Sequence, residues 1–208
     1  MRTDNNIANL VGEISSVFEF SHETHGEKFY AFDLKVERLS GNFDLLPILI
    51  SERLVNVKQS AVGAMVQIDG QLRSYNFKIG DRNRTILSIF VNDIQNVDED
   101  EFANNFVALQ GFICKKPIYR KTPKGKDIAD VILAVNRPLG RTDYIPCILW
   151  GRDAIYSGTF EVGQEISIEG RFQSREYQKR LENGETDIRT AFELSVNRME
   201  VVNNECED

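Results

Sequence analysis

The chain has 208 residues and a mass of 23.8 kDa, which is enough for two small domains of about 100 residues each. Hydrophobic residues make up 41% of the chain and charged residues 27%, so the composition excludes disordered, collagen-like and mucin-like proteins. The net charge of −7 argues against a nucleic-acid partner only if the charge is spread evenly.

The charge is not spread evenly. Residues 1–103 contain 10 Lys and Arg against 16 Asp and Glu, whereas residues 104–208 contain 15 against 16. Within residues 112–141 there are eight basic and two acidic side chains, a local net charge of +6. This composition fits a solvated surface loop, and it also fits a surface that contacts phosphates.

The chain contains the same pattern twice, at an offset of 99 residues. The aligned pairs include Gly12 with Gly111, Gly26 with Gly125, Leu34 with Leu133, Arg38 with Arg137, Asp44 with Asp143, Pro47 with Pro146 and Arg53 with Arg152. One inserted residue then shifts the offset to 100, so that residues 61–74 align with residues 161–174. We therefore predict two copies of one domain, at 1–98 and 104–202, with an acidic linker at 99–103 and a short acidic tail at 203–208.

Apolar residues alternate with period two in most segments, which predicts about five strands in each copy and an all-β fold. The inward positions of the first copy are Tyr30, Phe32, Leu34 and Val36, then Leu46, Ile48 and Ile50, then Val66, Ile68, Gly70 and Leu72. Those of the second copy are Ala129, Val131, Leu133 and Val135, then Ile145, Cys147 and Leu149, then Ile166, Ile168, Gly170 and Phe172.

Glycines within the predicted strands mark the bulges or bends that a small closed barrel needs; they are Gly12, Gly70, Gly111 and Gly170. Five short, sharply bent strands in each copy indicate two tandem OB-fold barrels. Residues 54–61 and 153–161 each predict a short helix between the third and fourth strands. Residues 75–85 and 177–190 predict long loops between the fourth and fifth strands.

The same alternation predicts the outer face of the second copy. The outer residues of one strand are Tyr144, Pro146, Ile148 and Trp150, and those of the next long strand include Arg171, Gln173, Arg175 and Tyr177. Aromatic rings beside arginines suit single-stranded nucleic acids, because bases stack on the rings and cations neutralise the phosphates. Exposed aromatic residues suit an interdomain or intersubunit contact equally well. The faces alone leave both interpretations open.

The second copy resembles the bacterial single-stranded DNA-binding protein family along nearly its whole length. Residues 104–138 are similar to the family's opening pattern, an apolar strand and a glycine, then a basic stretch with Arg-x-Thr-Pro-x-Gly, then a strand ending Leu-Ala-Val-Asn-Arg. The segment DYIPCILWGRDA, residues 143–154, resembles the family's central strand. The segment VGQEISIEGRFQSREY, residues 162–177, resembles the strand that ends in an aromatic residue.

The resemblance implies that bases stack on Tyr144, Trp150 and Tyr177, and that phosphates contact Arg137, Arg152, Arg171 and Arg175. We expect the basic segment to add further phosphate contacts, at Lys115, Lys116, Arg120 and Lys124. The predicted function is sequence-independent binding of single-stranded DNA during replication, repair or recombination. Two alternatives stay open: an OB-fold protein-interaction module of primosomal or mediator type with secondary nucleic-acid binding, and single-stranded RNA binding.

The first copy resembles the family only through the internal repeat. Leu45 and Ser51 stand at the positions of Tyr144 and Trp150, and Phe77, aligned with Tyr177, keeps an aromatic ring. Phe77 and Arg73 are the candidate DNA-binding residues of this copy. Losing two stacking platforms weakens a site by roughly 2 to 6 kcal/mol if each binds one base. We therefore predict that the first copy binds DNA weakly or is mainly a structural partner.

The sequence predicts neither an enzyme nor a cofactor. The two histidines, His22 and His25, lie in one short segment without a third ligand, and residues 122–127 lack the glycine and hydroxyl of a phosphate-binding loop. The cysteines, Cys114, Cys147 and Cys206, are far apart and are expected to be reduced thiols.

The family typically works with four OB domains, so the resemblance implies a homodimer of this two-domain chain. No apolar run approaches the ~18 residues of a membrane span, and residues 1–10 lack an apolar signal-peptide core, so we expect a cytoplasmic protein with no membrane partner. The chain stops at NNECED, acidic but without the hydrophobic tip of the family's tail. This ending argues against recruitment of replication proteins by the tail.

Overall fold

Alternating apolar residues form strands throughout the chain. The computed structural model describes residues 5–79, 82–98, 101–180, 184 and 186–202, with side chains for 5–75, 85–98, 101–178, 184 and 186–202. The first copy forms β1 (Asn6–Ile14), β2 (Glu19–Thr24), β3 (Glu27–Glu37), β4 (Phe43–Ser51), β5 (Met65–Ile79) and β6 (Arg82–Asn96). The second copy forms β7 (Asn104–Ile113), β8 (Ile118–Lys121), β9 (Asp127–Arg137), β10 (Arg141–Trp150), β11 (Glu165–Arg180) and β12 (Thr186–Val201).

Five strands of each copy close into a barrel. In the first copy β1 pairs with both β5 and β3, and the circuit is completed by β5 with β6, β6 with β4 and β4 with β3. The second copy repeats this arrangement, with β7 paired to both β11 and β9. The predicted inward positions fill the two cores: all are buried except Tyr30, which is partly buried. The strand register shifts at Gly70 and at Gly170, which confirms a bulge at two of the four glycines, whereas no such shift occurs at Gly12 or Gly111.

Three local predictions differ from the structure. Each copy has a sixth strand, β2 or β8, whose residues are almost all exposed, so no inward face produces a period of two. A helix, α1 (Gly151–Tyr156), and a 3-10 turn (Ser157–Thr159) follow β10, but residues 54–61 form turns, so the helix predicted in the first copy is wrong. Val55, Asn56 and Val57 in that segment are poor helix formers. The arms of the two predicted long loops belong to β5, β6, β11 and β12.

Some predicted segments lie partly outside the described residues. The predicted tail, 203–208, lies entirely outside them, as do residues 99 and 100 of the predicted linker. The strand β6 ends before that linker, at Asn96, and β7 begins after it, at Asn104. The domain boundaries stay a prediction. None of the helices formed by the described residues combines the length and apolar composition needed to cross a membrane.

The two barrels share one continuous sheet because β1 pairs with β7 in antiparallel fashion. Ala8 lies opposite Val107, its own counterpart at the offset of 99 residues, and Asn6 lies opposite Leu109 while Leu10 lies opposite Asn105. The order of the twelve strands therefore reads the same from either end once the copies are exchanged. The barrels are related by an approximate twofold axis through the centre of the β1–β7 pair.

Two buried carboxylates fasten the barrels together reciprocally. Asp44 on β4 accepts the backbone N–H of Ser174 on β11 at 2.8 Å, and Asp143 on β10 accepts the backbone N–H of Ser74 on β5 at 2.8 Å. Both carboxylate side chains have no exposed surface. Each also pairs with an arginine of its own barrel, Arg38 or Arg137. The repeat thus builds the same interdomain contact twice.

Asp44 is the more heavily coordinated of the two carboxylates. Arg38 Nε donates to it at 2.7 Å, a second Arg38 nitrogen also contacts it, and Arg171 of the other barrel lies 3.4 Å from it. Burial alone would raise the pKa of Asp44, but the hydrogen bonds from Arg38 and Ser174 and the charge of Arg38 outweigh that effect and lower it. The carboxylate is therefore ionised when it joins the barrels.

We expect Asp44→Asn to lower the free energy of unfolding by about 2 to 3 kcal/mol at pH 7, because it leaves the charges of Arg38 and Arg171 uncompensated. Removing one partner of a fully buried pair costs about 3 to 5 kcal/mol, and these arginines keep some contact with water. The measurement is urea denaturation, with the exposed Asp98→Asn as the control.

The pH dependence follows from the lowered pKa of Asp44. A carboxylate with a depressed folded-state pKa contributes stability above its unfolded value near 3.9, and this contribution is lost as the pH falls through the folded value. The stability difference between the native chain and Asp44→Asn should therefore shrink below about pH 4. Equal unfolding free energies at pH 7 would contradict this role of Asp44.

Candidate nucleic-acid interface

The outer face of β10 carries two open aromatic rings. Tyr144 is 43% exposed and Trp150 is 39% exposed, at positions six residues apart, which corresponds to about 20 Å along a strand. Strand parity also predicts an exposed Ile148, and that prediction is wrong, because Ile148 is 4% exposed. The outer face of β10 is therefore open to water mainly near the ends of the strand, where the two rings lie.

Ser195 on β12 joins Trp150 to the neighbouring strands. The indole Nε1–H of Trp150 donates a hydrogen bond to the Ser195 hydroxyl at 3.0 Å. Ser195 lies opposite Arg171 in the register of β11 and β12. Trp150, Ser195 and Arg171 therefore follow one another across three adjacent strands of a single face.

Tyr177 lies at the other side of this face, beside a groove between the barrels. The ring is 38% exposed, and the guanidinium carbon of Arg175 lies 6.0 Å from its centroid. Tyr177 and Pro146 of the second copy line the groove together with Pro47 and Ile86 of the first, and the groove has a volume of about 680 Å³. Tyr177 thus opens onto this groove, whereas Tyr144 and Trp150 are exposed on β10 outside the set of residues that line it.

Four of the predicted phosphate contacts are already paired with carboxylates. Arg171 lies 3.4 Å from Asp44, Arg175 lies 3.3 Å from Glu193 and Arg120 lies 2.6 Å from Asp130. Arg137 Nε lies 3.0 Å from Asp143, although the two atoms are not aligned for a hydrogen bond, and its side chain is 17% exposed. The nearest partners of these arginines are carboxylates, and their contacts with phosphates stay a prediction.

The remaining basic candidates of the second copy are open. Lys115, Lys116, Lys124 and Arg152 are exposed, and within the described part of the chain none has a carboxylate within 4.0 Å. Three of them flank β8, and Arg152 lies in α1, two residues after Trp150. The unpaired positive charge therefore borders the aromatic residues rather than lying among them.

The candidate DNA-binding residues of the first copy, Phe77 and Arg73, both lie on β5. The side chain of Phe77 lies outside the described residues. Arg73 on β5 is half-buried, and its guanidinium carbon lies 3.6 Å from the centroid of the Phe90 ring. Burial lowers the pKa of Arg73, and its hydrogen-bond partners, Gln71 and Tyr75, are uncharged.

The sequence prediction missed Ser195 and Glu193, both on β12. Glu193 is 5% exposed and accepts hydrogen bonds from Gln173 at 3.1 Å and from Arg175 at 3.3 Å. The two copies differ in the length of the hairpin before this strand, so the repeat register could not place these residues. Only the pairing of β11 with β12 shows that Ser195 lies opposite Arg171 and that Glu193 lies opposite Gln173.

The described cysteines and His22 differ in their surroundings. Burial raises the pKa of the Cys147 thiol well above its usual range, which keeps the thiol protonated, while Cys114 is exposed. His22 stacks on Phe29 with a centroid distance of 5.1 Å. Across the described residues, no group of three or more His, Cys, Asp or Glu side chains is arranged to hold a metal ion.

Known proteins share this arrangement and parts of this sequence. The wild-type single-stranded DNA binding protein from Thermus aquaticus is 18% identical, with a TM-score of 0.74 over 96% of this chain and 93% of that one. The fold of this chain is accordingly a tandem pair of OB folds. Single-stranded DNA-binding protein 3 of Listeria innocua is 36% identical over 81 residues, 36% of this chain and 51% of that protein.

Single-stranded DNA-binding protein B of Bacillus subtilis is 35% identical over 81 residues, which are 36% of this chain and 72% of that protein. The chain spans about half the length of other curated relatives. The model of the Single-strand binding protein family matches residues 104–202. The chain therefore belongs to the single-strand binding protein family.

Proposed function

We propose that the chain binds single-stranded DNA without sequence preference, by stacking bases on the second barrel and neutralising phosphates around it. The observation that carries this proposal is the exposure of three aromatic rings of the second barrel, Tyr144 and Trp150 on β10 and Tyr177 on β11. Every base has a π-face, so aromatic platforms bind any sequence at about 1 to 3 kcal/mol per stacked base. The names of the similar proteins support the choice of ligand.

The two kinds of basic residue have different tasks in this proposal. The ion-paired arginines are held in place by carboxylates, so a phosphate that binds there meets little net positive charge; they are Arg137, Arg171 and Arg175. The open lysines, Lys115, Lys116 and Lys124, have water and counterions around them. Binding DNA there releases counterions, which makes the affinity depend on salt.

We infer that the chain acts as a cytoplasmic binding protein in replication, repair or recombination, and that it catalyses no reaction. The rival function, an interaction module for a protein partner, would use the same exposed rings. The open lysines beside the rings favour an anionic ligand such as DNA over an uncharged protein surface. Competition between DNA and RNA oligomers of matched sequence separates DNA from RNA as the main ligand.

Trp150 is the only tryptophan, so its fluorescence reports on its own environment. Titration with oligo-dT should quench the emission, because a thymine stacks on the indole. Trp150→Ala should weaken binding roughly 5- to 150-fold, and Trp150→Phe should weaken it less because a ring is retained. Fluorescence anisotropy of labelled oligo-dT measures all three proteins. Unaltered DNA binding by Trp150→Ala would favour the protein-interaction function.

The open lysines should set the salt dependence of binding. For single strands the logarithm of the affinity falls with the logarithm of the salt concentration, with a slope of about −0.7 per phosphate contact. Replacing Lys115 and Lys116 together by Ala should therefore make the slope less steep by up to about 1.4. Lys58→Ala, an exposed lysine of the first copy, is the control. Equal slopes for the double variant and the native chain would remove these lysines from the interface.

We propose that two chains pair to give four OB domains. The proposal rests on the family's usual number of domains and on the exposed apolar residues Ile86 on β6 and Ile188 on β12, which line the groove between the barrels. Static light scattering at micromolar concentration should give twice the chain mass of 23.8 kDa. A mass of one chain under these conditions would contradict a dimer.

A further inference from the structure

The first barrel has an aromatic residue where the second has Ser195. Gln71 and Arg171 are aligned in the repeat, and their cross-strand partners are Phe90 and Ser195. The parallel pairs agree, since Leu49 lies beside Phe90 and its counterpart Ile148 lies beside Ser195. Phe90 therefore occupies the place of Ser195, the residue that contacts the indole of Trp150 in the second barrel.

The first barrel has no aromatic ring at the place of Trp150 on β4, but Phe29 on β3 and Phe90 on β6 put a ring on each strand beside it. Ser51 takes the place of Trp150, but Phe29, directly opposite Ser51 on β3, lies 5.7 Å from Phe90 between ring centroids. His22 stacks on Phe29 at 5.1 Å with an interplanar angle of 12°. With the Arg73 guanidinium 3.6 Å from Phe90, four planar groups follow one another across the outer face. We call His22, Phe29, Phe90 and Arg73 the first-barrel stack.

The charge of the first-barrel stack is not compensated. In the second barrel Gln173 lies opposite Glu193, whose carboxylate neutralises Arg175, whereas in the first barrel Arg73 lies opposite Ser88. Within the described part of the chain no carboxylate lies within 4.0 Å of Arg73, and Asp143 acts on it only at longer range. A half-buried cation without a nearby counter-anion favours an anionic ligand.

The stack is also accessible. His22, Phe29, Phe90 and Arg73 are each partly exposed, unlike the sealed core on the inner face of the same strands. Aromatic rings and guanidinium planes both stack on unpaired bases, and arginine also contacts phosphates. A cluster that served packing alone would have no need of an unpaired arginine at its end.

We propose that the first-barrel stack is a second binding site for single-stranded DNA, centred on Phe90 and Arg73. This inference rests on the proposed function of the second barrel and extends it to the first. It replaces the weak or merely structural first copy that the loss of aromatics at Leu45 and Ser51 predicts. The two sites hold their aromatic residues on different strands, and one strand of DNA occupies both when it is long enough.

Phe90→Leu tests the site in the full chain, because leucine keeps an apolar side chain and removes the ring. Oligo-dT of about 8 nucleotides fits one barrel, whereas about 30 nucleotides span two. The affinity of Phe90→Leu for the long oligomer should fall roughly 5- to 100-fold. Its affinity for the short oligomer, and the quenching of Trp150 by it, should stay unchanged, because the short oligomer occupies the second barrel.

Two matched variants complete the experiment. Phe90→Tyr retains the ring and should bind the long oligomer as the native chain does. Phe102→Leu, which alters an 88% exposed phenylalanine in the predicted linker, should have no effect. Equal long-oligomer affinity for Phe90→Leu and the native chain, with Trp150 still quenched, would overturn the second site alone. Absence of quenching and of binding in the native chain would overturn the proposed function as well.

A measurement on the native chain decides the matter if Phe90→Leu does not fold. Ultraviolet light crosslinks thymine to aromatic side chains that stack on it, and mass spectrometry identifies the modified peptides. Crosslinks to peptides containing Phe29 or Phe90, besides those containing Trp150, are the expected result. Crosslinks confined to residues 104–202 would overturn the proposal.

Discussion

The antiparallel pairing of β1 with β7 is the constraint on which the arrangement of this molecule depends. In an isolated barrel the outer edge of that strand would offer unpaired N–H and C=O groups, which invite association with other strands. Pairing the two copies satisfies both edges at once and fixes the approximate twofold axis. Only in that orientation can Asp44 reach Ser174 while Asp143 reaches Ser74.

Arg38 and Arg137 are part of this interdomain contact. Arg38 with Asp44 and Arg137 with Asp143 occupy equivalent positions, and both pairs lie at the barrel interface. Because the pair is present in both copies, including the first copy, which lacks counterparts of Tyr144 and Trp150, its position is explained by the interface between the barrels. The open lysines of the β8 region have no equivalents in the first copy and are better candidates for an electrostatic role.

Alternation in the sequence predicted the inner faces well, because burying one side of a strand imposes a period of two. The strands β2 and β8 were not predicted, because their residues are almost all exposed and no apolar period marks them. The same parity correctly predicted that Tyr144 and Trp150 are exposed. It wrongly predicted that Ile148 is exposed, because parity does not show where a neighbouring strand covers an outward residue. The equivalence of Phe90 and Ser195 follows from cross-strand register, which the different hairpin lengths hide from an alignment.

The two outer faces therefore differ in where they place their planar side chains and their positive charges. The second barrel spreads its rings along β10 and β11 and neutralises the adjacent arginines with Asp44 and Glu193, so its net positive charge lies at the border. The first barrel gathers its planar groups into one stack that ends at Arg73, and among the described residues no carboxylate lies within 4.0 Å of that arginine. Because the continuous sheet holds the two faces in a fixed relation, a DNA strand that crossed both would meet a stacking surface bordered by lysines and then a stacking surface that ends at an arginine. Affinity at the first barrel should accordingly depend more on Arg73 itself, and affinity at the second more on the number of surrounding lysines.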